Sequence, residues 1–211
     1  MSPESPDDGS TIPKVGDNRS KDDQLSEWLR TAIDHHQQNK LQEAEAIYRQ
    51  ILGEDPNHAD ALHRLALLVQ QRGRPEEAIA LLTRAVAAEP ADAVGHNNLG
   101  NMLREQGRMS EAIMAYRAAV RSNPDYANAY FNLADLLLDQ GELQAAIECY
   151  RQVLRLSPED AEAWNGLGAA LRRRQRLAEA MEAFNTALRI KPDLLDAHNT
   201  RGTVLAALGD L

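Results

Sequence analysis

The sequence predicts an all-α protein built as a solenoid of helix pairs, and three recurring features lead to this prediction. Prolines recur along the chain at a fixed interval of 34 residues. Each interval contains two apolar patterns with the period of an amphipathic helix, separated by a turn residue. Small side chains recur where the two helices of a pair would cross. A fixed period with this content is typical of helical repeats that stack on their neighbours.

The repeating unit is clearest between residues 127 and 160. Gly141 separates its two apolar patterns, and Pro158 closes the unit, because proline prevents a helix from continuing. Neither helix could bury its apolar stripe alone, so the two must pack together and then on neighbouring pairs. The first stripe consists of Tyr130, Leu133, Ala134 and Leu137, and the second of Leu143, Ala146, Ile147, Tyr150, Val153 and Leu154.

The same positions recur in step through the chain. The closing prolines are Pro56, Pro90, Pro124, Pro158 and Pro192. Each first helix carries a small residue at the same place: Ala32, Ala66, Gly100, Ala134, Gly168 and Gly202. The recurring alanine of the second helices is expected to let two helix backbones approach closely. The second helices carry an alanine at Ala44, Ala78, Ala112, Ala146 and Ala180, and a large apolar residue, expected to wedge between adjacent pairs, at Tyr48, Leu82, Tyr116, Tyr150 and Phe184.

This pattern resembles the tetratricopeptide repeat family, whose signature is W-x2-L-G-x2-Y, then A-x3-F, then P. The fifth repeat carries the match through Trp164, Leu167, Gly168, Leu171, Ala180, Phe184 and Pro192. The resemblance implies a right-handed superhelix whose concave groove is lined mainly by the first helices. We expect five full repeats at 25–58, 59–92, 93–126, 127–160 and 161–194, followed by a half repeat at 195–211.

The ends of the chain are expected to differ from the middle. Residues 1–24 are rich in proline, glycine and acidic residues and contain little that could be buried, so we expect a disordered tail. Repeat one has Asn39 where the other repeats have a turn glycine, and asparagine tolerates the same left-handed geometry. The half repeat at 195–211 is expected to act as a cap, to belong to a longer chain, or to dock on another copy.

The composition of the chain limits the classes of partner that we expect it to bind. The formal net charge is −9, which disfavours general binding to nucleic acid or to an anionic membrane. No apolar run approaches the roughly 18 residues of a membrane span, and the first residues do not resemble a signal peptide. The single cysteine, Cys149, allows no disulfide within the chain. We therefore expect a cytoplasmic protein.

No sequence motif for catalysis, a metal or a cofactor is present. There is no glycine-rich phosphate loop, no HExxH and no CxxC. His35 and His36 are adjacent, so they point to different faces of a helix and do not form a metal-binding pair. The sequence therefore favours binding over catalysis.

The resemblance also implies which side chains line the groove. Asn98 and Asn132 hold the same place in consecutive repeats, which is similar to the asparagine ladder in the repeat domain of O-linked N-acetylglucosamine transferases. An amide side chain offers both a donor and an acceptor to a peptide backbone. The expected peptide-binding residues are Asn97, Asn98, Asn101, Arg104, Asn128, Phe131, Asn132, Asp135, Asn165 and Arg172.

Three functions follow from these features. The favoured one is a non-catalytic scaffold that binds an extended partner peptide in the groove. The second is the substrate-recognition arm of a glycosyltransferase-like enzyme, and the third is self-association through the half repeat. Phe131 is expected either to anchor an apolar side chain of a partner or to pack against the neighbouring first helix. The arginine cluster Arg172, Arg173, Arg174 and Arg176 predicts either a site for phosphate or an acidic partner, or a solvated helix end.

Overall fold

The computed structural model describes residues 20–209, except for the side chains of residues 206–208. Over this range the chain forms eleven helices and no strand. The helices are α1 (Lys21–Gln37), α2 (Leu41–Glu54), α3 (Ala59–Gln71), α4 (Pro75–Ala88), α5 (Ala93–Glu105), α6 (Met109–Ser122), α7 (Ala127–Gln140), α8 (Leu143–Leu156), α9 (Ala161–Arg173), α10 (Leu177–Ile190) and α11 (Leu195–Gly209).

The helices stack as an α-solenoid of antiparallel pairs, as the sequence predicted. Each first helix packs on the second helix of its own pair, and each second helix packs on the first helix of the next pair. The first helices also contact one another directly, since α7 touches α9 and α9 touches α11. We call the surface formed by the first helices the inner face, and the surface formed by the second helices the outer face.

The folded chain begins earlier than the expected boundary at residue 25. Helix α1 starts at Lys21, so residues 21–24 are helical rather than part of a disordered tail. Ser20 caps the helix by accepting a hydrogen bond from the backbone N–H of Asp23 (3.2 Å), and Asp22 and Asp23 favour the positive end of the helix dipole. Residues 1–19, which hold the rest of the expected tail, lie outside the described residues.

Large side chains of the second helices are wedged against small residues of the first helices. Tyr116 lies so close to Gly100 that a Cβ at that glycine would be 2.5 Å from the ring. A Cβ at Gly168 would likewise be 2.7 Å from the ring of Phe184. Repeat four has Ala134 at the corresponding position, and there Tyr150 lies instead against Gly166 of the next repeat.

A carboxylate between repeats one and two forms a buried ion-pair network. Glu45 accepts hydrogen bonds from Arg49 of its own helix and from Arg72 and Arg74 of repeat two, the last at 2.7 Å. Glu77 pairs in turn with Arg49 and Arg74. Burial alone would raise the pKa of Glu45, but the hydrogen bonds from Arg74 and Arg49 outweigh burial and lower it. The network therefore joins repeat one to repeat two.

The five turns between paired helices share one backbone conformation. The residue at this position has a positive φ in every repeat: 60° at Asn39, 74° at Gly73 and Gly107, 81° at Gly141 and 62° at Gln175. The prediction for Asn39 is confirmed. Glutamine is strained in this conformation because its Cβ approaches the following carbonyl oxygen. Repeat five therefore carries local strain that repeats two to four avoid with glycine.

We expect Gln175→Gly to raise the free energy of unfolding by about 1 kcal/mol, because it removes the cost of a left-handed glutamine. The reverse test is Gly107→Ala, which meets no steric obstacle within 4 Å and should lower stability by about the same amount through φ strain alone. Urea unfolding followed by circular dichroism measures both. A lower midpoint for Gln175→Gly would contradict this account of the turn.

Candidate functional site

Polar side chains on the inner face form hydrogen bonds from one repeat to the next. The amide nitrogen of Asn98 on α5 lies 2.9 Å from Nε2 of His63 on α3. One repeat further on, Asn132 of α7 donates to Oδ1 of Asn97 (3.0 Å) and to Oδ1 of Asn101 (3.3 Å) on α5. The two asparagines that were expected to form a ladder therefore also join the first helices together.

Asn98 keeps part of its hydrogen-bonding capacity. His63 is positioned by Asp92, whose carboxylate lies 3.4 Å from Nδ1 of the ring and also caps α5. With Nδ1–H directed at Asp92, Nε2 accepts one amide hydrogen from Asn98. The Oδ1 atom and the second amide hydrogen of Asn98 form no hydrogen bond within residues 20–209. Asn98 can therefore offer both an acceptor and a donor to a ligand.

Asn132 and Asn97 have different roles. Asn132 uses both amide hydrogens in its bonds to α5, and its Oδ1 remains as an acceptor. Asn97, which was expected to line the groove, is only 5% exposed. It lies beneath Asn132 and accepts a hydrogen bond from it, so it positions the ladder rather than presenting a surface.

Two tyrosines of the second helices reach through to the inner face. Tyr116 donates to Oδ1 of Asn101 (2.7 Å), and Tyr150 donates to Oδ1 of Asp135 (2.5 Å) at the equivalent position of the next repeat. Burial raises the pKa of Tyr116 to about 12 and raises that of Tyr150 as well. Burial also raises the pKa of Asp135, although the Tyr150 hydrogen bond opposes this. Both phenols therefore stay protonated as donors at neutral pH.

The remaining predicted residues of repeats three and four are placed as follows. Arg104 lies 3.9 Å from the carboxylate of Asp139, and Asn128 is exposed at the start of α7. Phe131 is half-buried and packs edge-on against Tyr150, with ring centroids 6.0 Å apart and planes at 79°. The observed contact is with the second helix of the same repeat rather than with a neighbouring first helix, and the part of Phe131 that stays exposed is available to a ligand.

Repeat five carries polar atoms that are buried without a partner. Oδ1 of Asn165 and Nε of Arg172 are inaccessible to solvent and form no hydrogen bond with the described part of the chain. Leaving such a group unpaired costs about 1 to 3 kcal/mol. Asn165 and Arg172 are therefore the polar side chains of repeat five with hydrogen-bonding capacity that the described residues leave unused.

A second set of contacts joins consecutive first helices at their C-terminal ends, and we call these contacts the edge rungs. Gln70 donates to Glu105 at 2.9 Å, and Arg104 pairs with Asp139 at 3.9 Å. Each rung connects a residue at the twelfth place of one repeat to the thirteenth place of the next. These rungs were not predicted from the sequence. The signal for them was that each joins a donor or cation to an acidic residue 35 positions further along the chain.

The outer face has two furrows at equivalent places in consecutive repeats. One has a volume of about 390 Å³ and includes Tyr130 and Cys149, and the other has about 450 Å³ and includes Trp164 and Arg151. Burial raises the pKa of Cys149 to about 11, so the thiol stays protonated at neutral pH. The furrows offer apolar floors with charged rims, in contrast to the amide-rich inner face.

Within residues 20–209, no helix has the length and apolar character that crossing a membrane requires. No group of three or more histidine, cysteine, aspartate or glutamate side chains in the same range could hold a metal ion.

Stacked helix pairs with a polar inner face define a helical-repeat protein, and comparison with known families specifies which kind. The sequence model described as tetratricopeptide repeat matches residues 29–93, 63–127, 97–157 and 131–194. These matches cover most of the chain, which therefore belongs to the tetratricopeptide repeat family. A comparison with curated protein sequences found no match.

Solved structures of the same fold include several bacterial repeat proteins. A crystal structure of MamA has 26% sequence identity and a TM-score of 0.71, over 76% of this chain and 94% of that one. YrrB, described as a TPR protein with an unusual peptide-binding site, has 22% sequence identity and a TM-score of 0.75, over 83% of this chain and 90% of that one. PilF of Pseudomonas aeruginosa has 21% sequence identity and a TM-score of 0.66, over 89% of this chain and 91% of that one.

Asp135 generates a prediction about pH. Its pKa in the folded state is raised by burial, so its contribution to stability is most favourable at low pH and is lost as the pH rises through that pKa. Asp135→Asn keeps the acceptor for Tyr150, as Asn101 does for Tyr116, and removes the buried charge. We expect the variant to be more stable than the wild type at pH 7, with the difference shrinking as the pH falls toward 4.

Thermal unfolding of both proteins between pH 4 and pH 8 measures this difference. Asp139→Asn, at an exposed carboxylate on the same helix, is the matched control for a change of one charge. Lower stability of Asp135→Asn across the whole range would show that Asp135 is held ionised by favourable charges, contrary to the prediction.

Proposed function

We propose that this chain is a non-catalytic scaffold that binds an extended segment of a partner protein along its inner face, with repeats three to five carrying most of the contact. Tetratricopeptide arrays are protein-interaction scaffolds, and this chain has their architecture. The observation that carries the proposal is the pair Asn98 and Asn132, which keep amide groups available although both are held in place by the preceding repeat. A cytoplasmic location stays a prediction from the sequence.

The physical basis is the match between these amides and a peptide backbone. Consecutive first helices pack about 10 Å apart. An extended peptide advances about 3.3 Å per residue, so successive asparagines meet it every three residues. Oδ1 of Asn132 accepts from a peptide N–H, whereas Asn98 can accept from an N–H and donate to a C=O. Because His63, Asn97 and Asn101 fix the two side chains in advance, little side-chain entropy is lost on binding.

Backbone recognition of this kind predicts broad tolerance of ligand sequence. The exposed Asn128 and the half-buried Phe131 add one polar and one apolar contact beside the ladder. YrrB, which shares the fold, is described as having a peptide-binding site, and this supports peptide recognition by arrays of this architecture. The same mode of recognition suits the substrate arm of a glycosyltransferase-like enzyme, and that role stays an alternative for the same surface.

Self-association is a second candidate, and one observation favours it. In α11, Leu195 is 75% exposed and Leu205 is 52% exposed, so this half repeat presents apolar side chains to solvent. A second copy could cover them. Sedimentation velocity over a hundredfold range of concentration tests this candidate: a mass that increases with concentration and is restored to the monomer by Leu205→Glu supports it, and a constant monomer mass excludes it.

The test of the main proposal is a capture experiment with inner-face and outer-face variants. Wild type, Asn98→Ala/Asn132→Ala and the outer-face control Met114→Ala/Gln152→Ala are immobilised after circular dichroism has shown equal folding. Each is incubated with lysate, and the bound proteins are trimmed with protease so that protected segments can be sequenced. We expect short protected segments with the wild type and the control, and at least a tenfold loss with the asparagine variant.

The outcome that contradicts the proposal is equally specific. Unchanged capture of the same segments by Asn98→Ala/Asn132→Ala, together with loss by the outer-face control, would place the binding surface on the second helices.

A further inference from the structure

We propose that Arg172, at the inner edge between repeats five and six, binds a side-chain carboxylate of an acidic partner segment. This proposal rests on the proposed binding of a partner along the inner face, and it specifies the chemistry of the segment that reaches repeat five. In two other repeats the residue equivalent to Arg172, which is Gln70 or Arg104, is paired with a carboxylate of the next repeat through an edge rung.

The edge rungs follow a rule of position. A hydrogen-bond donor at the twelfth place of one repeat meets an acid at the thirteenth place of the next, as Gln70 meets Glu105 and Arg104 meets Asp139. The rung between repeats four and five has the reverse arrangement: the twelfth place is Leu138, and Arg173 donates to its backbone carbonyl. In these three rungs a polar or cationic side chain is paired with an oxygen of the adjacent repeat, by a hydrogen bond in two rungs and by an ion pair in the third.

Arg172 breaks this rule. It holds the twelfth place of repeat five, and the thirteenth place of the next repeat is Ala207, which has no carboxylate. Its Nε atom is buried and forms no hydrogen bond with the described residues. This Nε atom has therefore lost water without gaining a partner among the described residues, and a carboxylate is the group that pairs most favourably with a guanidinium.

The surroundings of Arg172 leave room for such a ligand. A cavity of about 490 Å³ lies between the ends of α9 and α11 and the start of α10. Arg173 lies in its wall and, among residues 20–209, forms a hydrogen bond only to the carbonyl oxygen of Leu138. Nearby Arg174 donates to the neutral side chain of Gln144. The cavity is lined by Leu143, Arg172, Arg173, Gln175, Leu177, Thr203 and Val204.

The charge of the arginine cluster also favours an acidic ligand. Only Arg176 of the four clustered arginines has a carboxylate partner among the described residues, which is Glu179 at 2.6 Å. A local excess of positive charge in a chain of net charge −9 attracts acidic segments to this place rather than elsewhere on the surface. The chain itself pairs Arg104 with a carboxylate, that of Asp139. Leu143 and Leu177 in the cavity wall suit an aliphatic residue next to the acidic residue of the partner segment.

The experiment uses a defined probe and the full chain. The probe is a fluorescein-labelled octapeptide of alternating glutamate and leucine with an amidated C-terminus, and the reference peptide has glutamine in place of glutamate. Fluorescence anisotropy at low salt measures both affinities. We expect the acidic peptide to bind the wild type at least tenfold more tightly than the neutral one, and the preference to decline as salt is added.

Two variants locate the effect. Arg172→Gln should reduce binding of the acidic peptide at least tenfold, whereas Arg155→Gln, the same charge change on the outer face, should reduce it less than twofold. A version of the probe with a free C-terminal carboxylate distinguishes side-chain from terminal recognition: stronger binding that persists when its glutamates are replaced would overturn the side-chain assignment.

The outcomes separate this proposal from the proposed function. Equal affinity for the two peptides, or equal effects of Arg172→Gln and Arg155→Gln, would overturn the carboxylate site. If the neutral peptide still binds and is lost in Asn98→Ala/Asn132→Ala, the inner-face scaffold stands without that site. If the acidic peptide depends on Arg172 but not on the asparagines, the carboxylate site stands and the backbone ladder fails.

Discussion

The structure depends on one packing constraint, which is the wedging of a large side chain of each second helix against a small residue of a first helix. Tyr116 fills the space above Gly100, and Phe184 fills that above Gly168. These two wedges set the distance between the helices of one pair, whereas Tyr150 against Gly166 sets the distance to the next pair. Interiors packed at this density tolerate little added volume, so the 34-residue interval is preserved from pair to pair.

The same interval brings polar groups of the inner face into register. Asn98 and Asn132 are equivalent residues, and each is held by a residue of the preceding repeat. The tyrosines that act as wedges also donate to the inner face, to Asn101 in one repeat and to Asp135 in the next. Core packing and the candidate binding surface are therefore parts of one network, and changes at a wedge are expected to affect binding as well as stability.

The sequence predicted the helix pairs, their boundaries to within a few residues and the family, since these follow from apolar periodicity and from a repeat that recurs five times. It did not show that Asn97 is buried beneath Asn132, because neighbouring polar positions on one helix look alike until the next repeat is in place. The left-handed φ of Gln175 was missed since glutamine gives no turn signal, and the Glu45 network was missed because its members are far apart in sequence. The helical start at Lys21 depended on a serine cap within an otherwise polar segment.

The central claim is that partners bind to the inner face, and site-specific photocrosslinking tests it most directly. The photoreactive residue p-benzoylphenylalanine replaces either Asn128, exposed on the inner face, or Met114, which is 69% exposed on the outer face. Irradiation in cells followed by mass spectrometry identifies the attached peptides. The account predicts a discrete crosslinked partner segment from position 128 and none from position 114. Crosslinks from position 114 alone would contradict it and assign binding to the second helices.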